Sequence, residues 1–174
     1  THDYISSSIS QQLLCAVIEE LINTQKPLAQ KPLAQKITKF HSASISPISA
    51  TRYITRIVKY CRCSIHHLTL ASLYMDRISK VDPALCLDQY TAHRLIITSI
   101  VIAIKYDSDI YFNNAAYAKI GGLPVSELNS LEISFLSTLQ YKLYVDTSEF
   151  ENFENSLRKK FHSTSQLRQR VYYH

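Results

Sequence analysis

The sequence predicts an all-α protein, a five-helix bundle around one central helix with extra helices at both ends. Three observations predict it. Only 2 glycines and 5 prolines occur in 174 residues, too few breaks for a turn-rich β fold. Apolar residues recur at intervals of three and four in one segment after another. One segment, LIITSIVIAI from residue 95, is apolar nearly all round, and such a helix sits at the centre of a bundle. With 46% hydrophobic and 19% charged residues, the chain has the makeup of a folded domain with a substantial core.

The elements follow in order. Residues 7–24 carry Leu14, Val17, Ile18, Leu21 and Ile22 at helical spacing behind a run of serines, which predicts a leading helix. Residues 26–35 are two copies of KPLAQ. Pro27 and Pro32 forbid a continuous helix there, and two short copies are no repeat architecture, so the segment is read as a lengthened linker. A docking peptide is the other reading. Residues 40–50 are Ser-rich and loop-like, with Pro47 near a helix start.

From Thr51, the residues Tyr53, Ile54, Ile57, Val58 and Cys61 give the first helix of the body. Ser64 is placed to cap a second, with Leu68, Ala71, Met75 and Ile78 on one face, and Asp82-Pro83 stops it. Asp88 caps the third and central helix, which runs to about Tyr106 with one polar edge of Thr91, Arg94, Thr98 and Lys105. Asn113 or Asn114 caps a short fourth helix that Gly121-Gly122 ends, glycine supplying the left-handed turn. The fifth covers about 125–140 with Leu128, Leu131, Phe135, Leu136 and Leu139 inward. Ser148 caps a sixth, its acids early and its cations late, the order the helix dipole favours. The tail beyond residue 163 is read as helical or frayed.

Charge and cysteine narrow the function. Nineteen cations face fourteen acids, and five of the cations (Arg158, Lys159, Lys160, Arg168, Arg170) follow the last acid, Glu154. The basicity therefore belongs to the tail and the body balances to neutral, which weakens a nucleic-acid reading. No secretory leader is recognisable, and the longest apolar run is about half a membrane span. Cys15, Cys61, Cys63 and Cys86 have no disulfide-scaffold spacing, so reduced thiols in a cytoplasmic or nuclear protein are expected.

Some residues do not suit a plain core. Glu132 stands four residues from both Leu128 and Leu136, inside the apolar arc of the fifth helix. A carboxylate there must either pair within the chain, with Arg52, Arg56 or Lys105, or meet a partner protein. Asp76-Arg77 reads as a helix-end ion pair. Cys61, Cys63, His66 and His67 are metal-ligating types, but their spacing on helices does not converge on one ion, so no metal is expected. Nucleotide-binding glycine loops, zinc-protease and nucleophile-elbow motifs are absent, and neither an enzyme nor a cofactor is predicted.

Taken together, YITRIVKY (53–60), LASLYMDRI (70–78), LDQYTAHRLIIT (87–98), AIKYDSD (103–109) and the run from Asn114 to Leu143 resemble the cyclin box of P/U-type cyclins. TAHR and YAKIGGL followed by ELNSLE are the most specific pieces. The resemblance implies a single cyclin box at 40–145, preceded by the helix and linker of 1–39 and followed by the helix and basic tail of 146–174. It also implies a non-catalytic subunit that binds and activates a cyclin-dependent protein kinase. The lysine and glutamate with which cyclins engage the kinase αC helix correspond to Lys105 and Glu132. Ile102, Tyr106, Leu136, Tyr141 and Leu143 would line the apolar part of that contact. The substrate-docking MRAIL motif of cell-cycle cyclins is not recognisable near 46–54. The alternative reading is a cyclin-fold module of the transcription-factor kind that binds nucleic acid or a scaffold.

Overall fold

The computed structural model describes residues 37–171, with side chains as far as Lys159. Among them are six α-helices and no strand. The leading helix and the KPLAQ duplication lie outside the described residues.

Helix α1 (Ala50–Tyr60) starts where the Ser49 hydroxyl accepts from the Arg52 N–H at 3.3 Å. It buries Ala50, Tyr53, Ile54 and Ile57, the periodicity seen in the sequence. Helix α2 (Ile65–Val81) has a reciprocal cap: Ser64 Oγ accepts from the His67 N–H, and His67 Nδ1 accepts from the Ser64 N–H. Asp82 then caps a single 3-10 turn, Pro83–Leu85. Helix α3 (Ala92–Asp107) is buried without interruption from Leu95 to Ile104 and packs on α1, α2 and α5. It is the predicted axis of the bundle.

Its start is more elaborate than a capped end. Buried Asp88 Oδ1 accepts from the N–H groups of Tyr90 (2.7 Å) and Thr91 (2.9 Å), and the Thr91 hydroxyl donates to the Cys86 carbonyl at 2.6 Å. The expected polar edge of α3 is only half real, since Thr91 and Thr98 are fully buried. Arg94 and Lys105 are its accessible members, and each pairs with a carboxylate of α5, Arg94 with Glu127 and Lys105 with Glu132.

Helix α4 (Asn114–Gly121) resolves the choice of cap, because the Ala116 N–H donates to Asn113 Oδ1 at 3.0 Å. Gly122 takes φ +72°, and at Gly121 a Cβ would meet Ile97 Cγ1 at 2.9 Å. Tyr53 Oη donates to the Gly121 carbonyl at 2.8 Å, tying α4 to α1.

Helix α5 (Val125–Thr138) buries Leu128, Leu131 and Phe135. The chain leaves it through two consecutive left-handed residues, Gln140 (φ +53°) and Tyr141 (φ +57°). Helix α6 (Thr147–Val171) packs along α2. Its cap is Asp146, which accepts from the Glu149 N–H and the Ser148 hydroxyl, so Ser148 supports the cap and is not itself the cap. No helix among the described residues is long and apolar enough to cross a membrane.

Candidate interaction face at the end of the central helix

Lys105 lies in the last turn of α3, where the exposed carbonyls favour a cation. Across from it, Lys105 Nζ donates to both oxygens of Glu132, at 2.7 and 3.0 Å. Asn114, relieved of capping, donates from Nδ2 to Glu132 Oε2 at 2.8 Å and to Asn129 Oδ1 at 2.6 Å. Three helices thus converge on one carboxylate. Of the partners the sequence left open, the structure selects Lys105. Arg52 forms no ion pair among the described residues, and Arg56 donates instead to the Lys119 carbonyl.

The idea that these two charges stand unpaired on apolar helices until a partner arrives does not hold, because each is the other's partner. Nor are they sealed: the Lys105 side chain is 26% exposed and that of Glu132 14%. The result is a pre-set ion pair with one open edge.

The apolar surroundings sort into two groups. Tyr106, next to Lys105, is 50% exposed, and Tyr141 is 66% exposed. Leu136 and Leu143 are half-buried against the core. Ile102 is only 2% exposed and needs correction: it falls on the core side of α3 and can support this face from beneath but cannot line it. Ile110, Tyr111, Ile133 and Tyr144 are further exposed apolar side chains that sequence reading did not single out. Sequence reading also missed Asn114, whose role needs a 2.8 Å contact to a residue in another helix.

Arg77 departs from expectation too. It does not pair with Asp76, which binds Lys80 one turn on. Its guanidinium donates to the Lys142 and Tyr144 carbonyls at 3.0 and 3.1 Å and to both oxygens of Glu149. It clasps the segment between α5 and α6 onto α2.

The Cys/His cluster is taken up by packing. His67 completes the α2 cap and turns Nε2 to Asp107 (3.2 Å) and Ser108. Burial pushes its pKa down, against the pull of Asp107. Cys61, Cys63 and Cys86 are free thiols, and burial raises Cys61 to about 12. Among the described residues no group of His, Cys, Asp and Glu is placed to hold a metal ion.

Comparison with known proteins gives one family. The model of the family described as Cyclin matches residues 9–143. The chain is 38% identical to Cyclin-U4-1 of Arabidopsis thaliana over 126 residues, covering 72% of this chain and 62% of that protein. It is 34% identical to Cyclin-P3-1 of Oryza sativa subsp. japonica over 148 residues, 84% of this chain and 62% of that protein. Cyclin-U1-1 of Arabidopsis thaliana is 30% identical over 149 residues, 84% of this chain and 71% of that protein. The chain therefore spans less than two thirds of the length of the first two of these relatives.

Proposed function

This chain belongs to the cyclin family, in its P/U-type branch, with the family's all-α cyclin-box fold, and we propose that it binds and activates a cyclin-dependent protein kinase. The observation that carries the proposal is the Lys105–Glu132 pair, pre-set by Asn114 and open along one edge, with exposed Tyr106 next to Lys105 in the chain and exposed Tyr141 just past α5. An ammonium and a carboxylate side by side suit the carbonyl and N–H groups at a helix end of a partner. The apolar side chains would supply the burial that charges alone do not.

Activation follows from kinase physics. Phosphoryl transfer needs a lysine–glutamate pair that aligns the nucleotide phosphates, and that glutamate rides on αC. A rigid face that binds αC only in its inward position shifts the kinase toward the competent state. The shift is limited by the difference in affinity for the two positions. The cyclin contributes binding energy, and the chemistry stays in the kinase. Such a complex belongs in the cytoplasm or nucleus.

The test is recombinant binding to a panel of cyclin-dependent kinases by calorimetry, with kinase activity measured alongside. One kinase should bind and be activated. Glu132→Ala and Lys105→Ala should weaken binding by about tenfold or more while the isolated chain keeps a cooperative melt. Collapse of the isolated chain on Glu132→Ala would make the pair a purely structural bridge and end the proposal.

A further inference from the structure

Helix α1 carries a second polar face at a distance from Lys105 and Glu132. Arg52, Arg56 and Lys59 stand at i, i+4 and i+7, one stripe about 10 Å long. Lys119 of α4 adjoins it, its carbonyl accepting from Arg56 Nη2 at 3.3 Å. Arg62, just past the helix in a left-handed conformation, lays its guanidinium 5.5 Å from the Phe112 ring centroid. Arg52, Lys59, Arg62 and Lys119 are exposed and Arg56 half-exposed.

None of the five has a carboxylate partner among the described residues, whereas Arg77, Lys80, Arg94, Lys105 and Arg158 each sit on one. The cause is written in the chain: no Asp or Glu occurs from Leu21 through Met75. Glu127, whose charge reaches Tyr53 on α1, is taken by Arg94. The neutral balance of the body therefore conceals a segregated cationic face, which a net charge alone does not show.

We infer that this face docks an acidic peptide segment of a partner protein. Like charges along one stripe, Arg52, Arg56 and Lys59, repel one another and gain most from a polyanion. Two arginine forks one helical turn apart match carboxylate or phosphate groups bidentately. Exposed Tyr60, beside the Lys59 ammonium at 5.3 Å, offers apolar cover for such a segment. A single row of charges this short suits a peptide better than a duplex, whose affinity is built from many phosphate contacts.

Position gives the docking a use. The Tyr53 ring of α1 lies tilted against that of His93, ring centroids 4.6 Å apart, at the opposite end of α3 from Lys105. Twelve residues of helix separate the two positions by about 18 Å. A segment held at the Arg52 end of α1 thus leaves the Lys105–Glu132 edge open, while the Arg62 end lies against Phe112, two residues from the Asn114 that holds Glu132. This part rests on the kinase-binding proposal, while the docking itself does not.

The test uses the full chain and fluorescence anisotropy with a labelled peptide of alternating Asp and Ala, with and without a central phosphoserine. Both peptides should bind in a salt-sensitive way, the phosphorylated one more tightly. Arg52→Gln/Lys59→Gln, two exposed changes that spare the core, should weaken binding by about tenfold. Lys142→Gln, an exposed cation elsewhere, should leave it within about twofold. Equal binding by the double variant overturns the inference. So does a DNA duplex that binds more tightly than the peptides and displaces them. A Glu19→Gln/Glu20→Gln variant that alone gains peptide binding would assign the face to this chain's own leading segment and overturn it too. Kinase binding measured on the same double variant should be unchanged, which separates failure here from failure of the activator proposal.

Discussion

Asn114 and Tyr141 each carry a local cost at the proposed kinase face. The Asn114 amide is fixed with Nδ2 toward Glu132, because the reverse orientation would set a carbonyl oxygen against a carboxylate. That leaves Oδ1 buried without a donor among the described residues, a loss of about 1–3 kcal/mol. Tyr141 holds φ +57° although its side chain is not glycine, a conformation that costs about 1–2 kcal/mol. Its N–H donates to the Leu136 carbonyl at 2.9 Å, closing the end of α5, and the turn leaves the ring exposed.

The closing bond is main chain to main chain, so it survives a change of side chain. Tyr141→Gly is therefore expected to leave the melting temperature unchanged or raise it by a few degrees, since glycine adopts this backbone freely. The same change should weaken kinase binding severalfold by removing an exposed aromatic ring. Calorimetric melting and a binding titration on one sample separate the two effects, and a loss of stability without a loss of affinity would remove Tyr141 from the face.

At the scale of elements, α6 is held to the body in two ways. Leu157 is buried, and Phe150 and Phe153 pack against the core, with the Phe150 ring stacked on His66 at 4.5 Å. The second hold is the Arg77 clasp on Lys142, Tyr144 and Glu149. Because both ends of the Arg77–Glu149 pair reach solvent, the ion pair itself contributes little, and the two carbonyl bonds carry more of the effect. Arg77→Ala is expected to cost about 1–2 kcal/mol. Hydrogen exchange should rise in residues 142–158 and stay unchanged in α3, and uniform exchange across both would refute the clasp.

The elements also show what could be read from sequence. Helix positions were legible because burial at every third and fourth residue is written locally, as in Tyr53, Ile54 and Ile57. The choice between Asn113 and Asn114 as cap was not, since either spacing allows it and only the pull of Glu132 on Asn114 separates them. Arg77 was misread because its partners lie 65 to 72 residues away. Lys105 and Glu132 were legible as unusual charges, but their mutual pairing depends on how α3 and α5 dock. The cationic face of α1 was hidden because a net charge sums over faces that point in different directions.

For the whole molecule, acid sensitivity follows from two histidines. Burial lowers the pKa of His67, against the opposing pull of Asp107. Burial also lowers that of His93, with the Ile48 carbonyl opposing and Arg94 adding to the shift. Each binds its proton more readily in the unfolded chain, so the unfolded state carries more protons and stability rises with pH. As pH falls below the ordinary histidine value near 6.5, the unfolded state gains and the melting temperature should drop. The decline ends once pH passes below the folded values. His67→Gln should flatten this slope, whatever it does to the melting temperature at neutral pH. A slope that His67→Gln leaves unaltered would show that other groups set the acid limit.

The Arg77 clasp has one more consequence for the molecule. It grips carbonyl oxygens at 142 and 144, which every amino acid possesses, while the side chains of Lys142 and Tyr144 point into solvent. The strap between α5 and α6 is thus anchored by its main chain and indifferent to what it displays. Substitutions at those two positions are therefore expected to leave the architecture intact, so this short strap can vary in sequence at little cost to the fold.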